Sequence, residues 1–359
     1  MDKACENTKS TKLHQTSYPK PLTPNPSLTT KLFPIFAQTN FSTMRIAIID
    51  LGTNTINLLV AETTPEGSYN ILHESKCHAK LGKGGINHGT ITPEAMERGM
   101  EALHTHIKSI ERYEVDQQNI HSFATAAIRS AANGQVFVDK VKNELGITIR
   151  VIDGQAEAQL IFDGIKQVVP IADEKVMVLD IGGGSNEFII ANKNGVIWKH
   201  SFNLGVSKLL DKFTPNNPIT ANEIATIEAY FETELQLLFE AVAKHPVTTL
   251  IGSSGSFDTL SAMIAAQHYP LLDPYKLTTC HISMSHFHEL HHRFLASTLQ
   301  ERVDMKRMDP QRVELIVLAS MFINFVIKRC GITQMWQCAF ALKDGAVLNI
   351  INKSSIFNK

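Results

Sequence analysis

The sequence predicts a mixed α/β protein made of two similar domains that face each other. Its 359 residues exceed what a single hydrophobic core usually organises. Residues 46–61 and 176–191 repeat one strand–turn–strand pattern. After each copy, segments with the pattern of strands alternate with segments with the pattern of helices, an order typical of α/β folds.

The repeated pattern is visible when IAIIDLGTNTINLLVA (46–61) is placed over VMVLDIGGGSNEFIIA (176–191). Each copy has an apolar strand ending in Asp, a short turn rich in Gly, Ser, Thr or Asn, and a second apolar strand. Asp50 aligns with Asp180, and Gly52 aligns with Gly182. Apolar β-branched runs on both sides of a turn cluster predict a β-hairpin, and its repetition predicts two related domains.

The elements that follow each hairpin run in the same order. A third strand comes first, and the helix after it in the first half should begin with Thr92 as its N-cap and Pro93 as its first residue. A later helix in that half should end at Gly146. The other predicted strands cover residues 69–81, 120–129, 147–153, 196–204 and 248–256, and the other predicted helices cover 157–169 and 223–245.

The overall charge excludes some kinds of partner. The formal net charge is −1, so no basic field predicts binding to nucleic acid or to a membrane surface. The longest apolar run, residues 313–327, is too short to cross a bilayer and contains Glu314, so it predicts a core helix. Any polyanion must therefore be held by a local site.

The amino-terminal segment differs from the rest. Residues 1–43 contain five of the fourteen prolines and no glycine, a composition that predicts a disordered tail. The five cysteines of the whole chain are scattered and form no CxxC pair, so they do not predict a disulfide framework. A reducing cytoplasm is the expected compartment.

The two turns predict a phosphate site. Glycine turns allow the backbone to approach a ligand and to direct several N–H groups at it, which suits phosphate oxygens. An Asp at the end of the strand, such as Asp50 or Asp180, can hold Mg²⁺ beside the phosphate. Two such hairpins facing across a cleft would grip a phosphate chain from both sides. The alternative is a pair of plain glycine-rich hairpins, which the repetition disfavours.

Two glutamates are candidates for the chemistry. Glu187 lies two residues beyond the second turn and can point back into the same cleft. Glu157, in VIDGQAEAQLIF, follows a strand–Asp–Gly break and opens a helix, where it could accept a proton from water attacking phosphorus. The helix dipole alone also favours a first-turn Glu, and the spacing by itself favours that structural interpretation.

Six segments together carry a resemblance to a known family. DLGTNT, ATAAIR, VIDGQAEAQLIF, DIGGGSNE, LIGSSGS and LKDGAV, in this order, resemble the exopolyphosphatase / guanosine pentaphosphate phosphohydrolase family over about residues 44–351. The resemblance implies the actin-like ATPase superfold, with two ribonuclease-H-like domains and a central cleft. It also implies the short two-domain form, with domain I at 44–155 plus 343–359 and domain II at 156–342.

The same resemblance assigns roles to residues. In this family the cleft hydrolyses the terminal phosphoanhydride bond of polyphosphate or of guanosine pentaphosphate (pppGpp) with Mg²⁺. Glu157 takes the place of the general base, which overturns the structural interpretation above, and Glu187 takes that of the second acid. The other implied residues are phosphate-binding Gly52, Thr53, Asn54, Thr55, Arg129, Gly182, Gly183, Gly184 and Ser185, and metal-positioning Asp50 and Asp180.

The chain departs from the family pattern at a few positions. Asn186 stands where the family usually has Thr, which removes no catalytic group. Lys83, in LGKGG, stands where the family commonly has an acid and would add positive charge near the mouth of the cleft. Neither change argues against an active enzyme.

The predicted function is therefore hydrolysis of the terminal phosphate of inorganic polyphosphate, with pppGpp as the alternative substrate. An ATP-dependent kinase of the same superfold is a second alternative, and it would use GSSG, the loop Gly252, Ser253, Ser254 and Gly255, for its nucleotide. A non-catalytic polyphosphate or guanosine-polyphosphate sensor is a third, although a sensor needs no base such as Glu157. Family members are often homodimers, which adds a possible homodimer to the expected partners.

One motif points to different chemistry. HELHH, residues 288–292, satisfies the H-E-x-x-H signature of zinc metalloproteases, with Glu301 as a conceivable third ligand. The surrounding sequence instead predicts an amphipathic helix with Phe287, Leu290 and Phe294 inward and the histidines on a solvated face. The helix interpretation is the one we favour.

Overall fold

The computed structural model describes residues 5–8 and 43–352, which form two six-stranded mixed sheets with helices on their faces. The strands are β1 Cys5–Thr8, β2 Arg45–Leu51, β3 Ile56–Thr63, β4 Tyr69–Cys77, β5 Ile120–Ala124, β6 Ile149–Val151, β7 Val176–Ile181, β8 Asn186–Asn192, β9 Gly195–Phe202, β10 Thr249–Ser253, β11 Thr279–Ile282 and β12 Gln334–Cys338. The helices are α1 Pro93–Arg112, α2 Ala126–Arg129, α3 Gly134–Leu145, α4 Gly154–Ile165, α5 Val206–Phe213, α6 Ala221–Glu234, α7 Gln236–Lys244, α8 Gly255–His268, α9 Met284–Ala296, α10 Leu299–Val303, α11 Ile316–Cys330 and α12 Leu342–Ile351. Short 3₁₀ turns occur at Ile86–His88, Gln117–Asn119 and Pro274–Lys276.

The two sheets share a common arrangement. The first runs β1-β4-β3-β2-β5-β6 and the second runs β11-β12-β10-β7-β8-β9, so β4-β3-β2-β5-β6 corresponds to β9-β8-β7-β10-β12. Within each sheet the hairpin strands pair antiparallel, and the first strand of the hairpin pairs in parallel with a later strand. The second strand of each hairpin also shifts register against its neighbour at the equivalent position. The shift is at Val60/Ala61 where β3 pairs with β4, and at Ile190/Ala191 where β8 pairs with β9. The predicted α/β class, with the same sheet arrangement in both halves of the chain, is confirmed.

Alternating side chains of the central strands enter different hydrophobic cores. In β2, Ala47 and Ile49 pack into the core under α1 and α3, whereas Ile46 and Ile48 face the core between the two sheets. A strand alternates its side chains between faces, so a strand covered on both sides has to be apolar throughout. This explains the uninterrupted apolar run that precedes Asp50.

Helices α4 and α12 occupy the space between the sheets. They approach each other closely at two glycines: a Cβ on Gly345 would lie 1.9 Å from the carbonyl oxygen of Leu160, and one on Gly164 would lie 2.2 Å from that of Ala341. Asn349 of α12 donates to a carboxylate oxygen of Asp163 of α4 at 2.9 Å. The crossing places the first turn of α4 beside the second sheet, while the proposed domain bounds stay a prediction.

Several local predictions are confirmed and others are wrong. Thr92 caps α1 by accepting from the N–H of Ala95 at 3.2 Å, and Gly146 ends α3 in a left-handed conformation. The strand predicted over 120–129 ends at Ala124 because the alanine-rich end forms α2. The helix predicted over 223–245 is divided into α6 and α7 at Leu235.

The cysteines and the amino-terminal segment also differ in part from expectation. Cys77 is disulfide-bonded, which the scattered spacing could not indicate, whereas Cys280, Cys330 and Cys338 are buried free thiols. Of the tail predicted over 1–43, Cys5–Thr8 forms the edge strand β1 beside β4, and residues 9–42 lie outside the described part of the chain. Among the described helices none is long and apolar enough to span a membrane.

Candidate active site

The two turns, residues 52–55 and 182–185, are closed by the same backbone hydrogen bond. In the first, the N–H of Gly52 donates to the carbonyl of Thr55 at 3.0 Å; in the second, that of Gly182 donates to Ser185 at 3.0 Å. Each turn is also anchored from outside, since the N–H of Lys80 donates to Asn54 and that of Val206 donates to Gly182. The repeat in sequence therefore corresponds to a repeat in conformation.

The turns lie against each other. A Cβ on Gly184 would lie 2.7 Å from Oγ1 of Thr53, and one on Gly183 would lie 2.7 Å from Nδ2 of Asn54. Across the same junction, Ser207 donates a hydrogen bond to Oδ1 of Asn54 at 3.0 Å. A side chain at either position would meet the opposing turn, so Thr53 or Asn54 would have to move to make room for it.

A cleft of about 410 Å³ opens beside the two turns. Its lining includes these predicted site residues: Asp50, Gly52, Thr53, Asn54, Thr55, Glu157, Asp180, Gly182, Gly183, Gly184, Ser185, Glu187, Ser254 and Gly255. Within the described chain, Arg129, Gly252 and Ser253 are not part of that lining. The structure thus brings together most of the residues that the sequence singled out, from segments far apart in the chain.

The aspartates at the ends of β2 and β7 occupy equivalent places. Asp50 is opposite Asn57 in the first hairpin, and Asp180 is opposite Glu187 in the second. Burial raises the pKa of Asp50 to about 6, against the hydrogen bond that Asn57 donates at 3.0 Å. Burial and then the charge of Glu187 raise the pKa of Asp180 to about 7. Both carboxylates thus lie where a cation would stabilise their charged forms.

Glu157 lies in the first turn of α4, where Asp153 caps the helix by accepting from the N–H of Ala156 at 2.7 Å. Its side chain is buried, and Oε2 accepts a hydrogen bond from Nη1 of Arg129 at 2.7 Å. Burial raises the pKa of Glu157 well above its usual value and the charge of Glu187 adds to this, whereas Arg129 opposes both effects. A buried carboxylate with a raised pKa suits a general base near neutral pH.

Glu187 is held by two serines. Its Oε1 accepts from Oγ of Ser185 at 2.6 Å and from Oγ of Ser201 at 2.7 Å. Burial raises the pKa of Glu187, and the two serine hydrogen bonds oppose that rise. The second glutamate is therefore oriented by its own hairpin and the neighbouring strand β9.

The predicted nucleotide loop lies at the end of β10. Ser254 donates to the carbonyl of Ile181 at 2.8 Å and has a φ of 75°, unusual for a residue with a side chain. Ser253 donates instead to the carbonyl of Phe340 at 3.1 Å. Ser254 and Gly255 consequently face the cleft, whereas Gly252 and Ser253 belong to the strand.

Arg129 is bonded to Glu157 and is not among the described residues that line the cleft. Besides its bond to Glu157, its Nη1 donates to the carbonyl of Ile152 at 3.0 Å. It therefore contacts the predicted base and the strand end before α4. Its assignment to phosphate stays a prediction.

Basic residues of the cleft are the main part of the site that sequence reasoning missed. The lining contains Lys76, Lys80, Lys83, Arg312 and Lys343. Among them Lys83 alone was anticipated, as positive charge near the mouth. Lys343, which forms an ion pair with Glu74 at 2.8 Å, belongs to the LKDGAV segment and could have been found there. Lys76 and Lys80 lie in the same short segment as Lys83, whereas Arg312 comes from a segment far away in the chain.

The donor atoms of the cleft fit a hard cation. Asp50, Glu157, Asp180 and Glu187 supply oxygen, and burial raises the pKa of each. Among the described residues no three His, Cys, Asp or Glu side chains are grouped closely enough to form a complete protein cage. Mg²⁺ usually takes one or two carboxylates and completes its shell with water and substrate phosphates, so the residues present fit it.

The HELHH segment lies in α9, away from this cleft. Phe287, Leu290 and Phe294 are buried as predicted. His291 is buried as well, contrary to the expected solvated face, with Nδ1 3.1 Å from Oγ of Ser320. Glu301, the conceivable third zinc ligand, instead forms a capping box with Thr298 at the start of α10. The residues are used for packing and capping.

Comparison with known proteins agrees with this geometry. The profile of the Ppx/GppA phosphatase family matches residues 59–354. The chain belongs to the Ppx/GppA phosphatase family. Exopolyphosphatase 2 from Mycobacterium tuberculosis is 26% identical over 318 residues, which cover 85% of this chain and 98% of that protein. A bifunctional 3-dehydroquinate synthase/phosphatase from Fusobacterium nucleatum is 28% identical over 292 residues, and the match spans 79% of this chain but 43% of that longer protein.

Solved Ppx/GppA structures have the same fold. An exopolyphosphatase from Cytophaga hutchinsonii is 35% identical, with a TM-score of 0.84 over 87% of this chain and 99% of that one. The Aquifex aeolicus Ppx/GppA protein is 24% identical, with a TM-score of 0.72 over 87% of this chain and 99% of that one. At that identity the second likeness shows the fold alone.

Proposed function

We propose that this Ppx/GppA protein hydrolyses the terminal phosphoanhydride bond of inorganic polyphosphate and releases orthophosphate. The observation that carries the proposal is the buried Glu157 in a cleft whose wall is formed by two glycine-rich turns. The turns suit consecutive phosphates, and the glutamate suits activation of water. The exopolyphosphatases among the similar proteins support the choice of substrate.

The reaction follows from these groups. Backbone N–H groups of Thr53, Asn54, Gly183 and Gly184 in the two turns, with the basic lining residues, bind the terminal phosphates. Glu157 accepts a proton from water as its oxygen attacks the terminal phosphorus. The bond between that phosphorus and the bridging oxygen breaks, leaving orthophosphate and a chain shorter by one phosphate. Arg129 holds the carboxylate of Glu157 in place, and Glu187 orients the water.

Asp50 and Asp180 would hold Mg²⁺, which when bound neutralises phosphate charge and stabilises the leaving oxygen. The two aspartates lie at equivalent ends of β2 and β7, next to the two turns. Removal of Mg²⁺ with a chelator is therefore expected to abolish turnover.

The test is release of orthophosphate by the purified protein from long-chain polyphosphate and from pppGpp in parallel, with Mg²⁺ and with a chelator. We expect Mg²⁺-dependent release, with polyphosphate the better substrate. Faster release from pppGpp would reassign the substrate. If phosphate leaves polyphosphate or ATP only when an acceptor is added, the protein is a kinase; if neither substrate is turned over under any condition, the hydrolase proposal fails.

A further inference from the structure

A second cavity, of about 620 Å³, lies next to the cleft. It is open to solvent and lies between the 3₁₀ turn Ile86–His88 and α5. Ile86 and Asp211 line both the cleft and this cavity, so the two spaces are neighbours that share a wall. The complete lining is Ile86, Asn87, His88, Gly89, Ser130, Asn203, Lys208, Leu209, Asp211, Lys212 and Tyr230.

Lys208 is the unusual group in this lining. The residue is 8% exposed, and its Nζ donates to the amide oxygen of Asn203, a neutral partner. Among the described residues no carboxylate forms an ion pair with it. Burial lowers the pKa of Lys208, and the charge of Arg129 lowers it further. A buried cation without an anion costs free energy, and an arriving anion would recover part of it.

The only carboxylate in the lining of this described cavity is already engaged. Asn87 donates to Oδ2 of Asp211 at 2.8 Å and to the carbonyl of Lys208 at 3.1 Å. Lys212 adds a second positive charge, with Nζ 4.7 Å from the ring centre of Tyr230. The cavity is therefore electropositive, with its single acid held by a hydrogen bond.

The backbone connects Lys208 directly to the second turn. The N–H groups of Ser207 and Lys208 donate to the carbonyl of Gly183 at 2.9 Å and 3.3 Å. A phosphate chain that occupies the turns can extend towards the start of α5 without leaving the protein surface. The position of Lys208 is thereby fixed relative to the place where the terminal phosphates are expected.

We propose that the second cavity is an anion subsite, in which Lys208 and Asn203 bind a phosphate group of the substrate other than the one removed. The inference rests on the proposed function, because it assumes that a phosphate chain occupies the cleft. Such a subsite makes Lys208 a determinant of chain length: substrates too short to reach it gain nothing from it. Its ligand chemistry is phosphate, supplied either by further units of polyphosphate or by a guanosine polyphosphate.

The test is equilibrium binding to protein carrying Glu157→Gln, with and without Lys208→Met. Long-chain polyphosphate, pyrophosphate and pppGpp are the probes. Loss of a charge-assisted hydrogen bond should weaken binding of long-chain polyphosphate about tenfold and leave pyrophosphate within about twofold. The matched control is Lys244→Met, an exposed residue of α7 that lines neither cavity, and it should change nothing.

The three probes distinguish the possible roles of Lys208. If Lys208→Met weakens the binding of pppGpp alone, the subsite is supported and the nucleotide is identified as its source of phosphate. The proposal is overturned if Lys208→Met weakens the binding of pyrophosphate and of long-chain polyphosphate equally, or if it weakens the binding of no probe. Thermal unfolding without ligand should show Lys208→Met at least as stable as its parent, because a buried charge has been removed. If that variant does not fold, the exposed Lys212→Ala replaces it and should weaken long-chain binding about threefold.

Binding and turnover separate this proposal from the preceding one. If long-chain polyphosphate binding depends on Lys208 but the unsubstituted protein releases no phosphate, the subsite proposal is supported and the hydrolase proposal is rejected. If the unsubstituted protein releases phosphate but Lys208→Met does not change binding, the hydrolase proposal is supported and the subsite proposal is rejected.

Discussion

The pair formed by Glu157 and Arg129 determines how the proposed base behaves. Burial and the nearby charge of Glu187 raise the pKa of Glu157, and Arg129, bonded at 2.7 Å, opposes that rise. A base that is protonated cannot accept a proton from water. The working pH range of the enzyme should therefore depend on Arg129 even though this residue is outside the lining of the cleft.

Replacing Arg129 should shift the pH dependence of catalysis. Removal of the guanidinium in Arg129→Gln raises the pKa of Glu157, so the fall in kcat/KM on the acid side should move to higher pH, by roughly one pH unit. The measurement is kcat/KM for phosphate release from polyphosphate across pH. Arg45→Gln, which removes a half-exposed arginine paired with Glu62, is the matched control and should leave the profile unchanged. An unshifted acid limb with a raised KM would instead support phosphate binding by Arg129.

At the scale of elements, the two hairpins are alike in backbone and different in one side chain. Asn57 and Glu187 occupy equivalent positions, opposite Asp50 and Asp180 in the same register. The amide of Asn57 bonds to Asp50 at 3.0 Å, whereas Glu187 adds a second carboxylate beside Asp180. The repeat therefore supplies two phosphate turns, and the difference at this position gives the second hairpin its extra acid.

The start of α4 positions the proposed base, and Asp153 caps that start. We expect Asp153→Ala to lower the free energy of unfolding by about 1 kcal/mol and to reduce kcat by about tenfold, because Glu157 loses its fixed place. Thr92→Ala removes the equivalent cap from α1, whose first turn does not line the cleft. It should cost about the same stability and leave kcat unchanged. Urea unfolding and steady-state phosphate release measure the two effects, and an unaltered kcat in Asp153→Ala would show that the cap does not position Glu157.

At the scale of the whole molecule, the features that could be predicted from the sequence are those that depend on residues adjacent in the chain. The repeated hairpins, the cap at Thr92 and the helix end at Gly146 each depend on a few adjacent residues, and the structure confirms them. The ordered motifs predicted which segments meet at the cleft, since the fold brings the ends of β2, β7 and β10 to one place.

What the sequence could not predict depends on contacts between distant residues. Arg129 bonds to Glu157 across 28 positions and Lys343 pairs with Glu74, so neither pairing leaves a local pattern. His291 was expected in solvent because its helix looked amphipathic, but α11 covers that face and Ser320 supplies a partner. Arg312 of the cleft was missed for the same reason, because it comes from a segment far from the two turns.

Glu157 is proposed as the base of a phosphoanhydride hydrolase. The most direct measurement compares Glu157→Gln with the unsubstituted protein in two assays on long-chain polyphosphate with Mg²⁺: orthophosphate release and equilibrium binding. We expect turnover to fall about 10²- to 10⁴-fold and binding to change by no more than about twofold. Turnover at the unsubstituted rate would show that Glu157 is not the base.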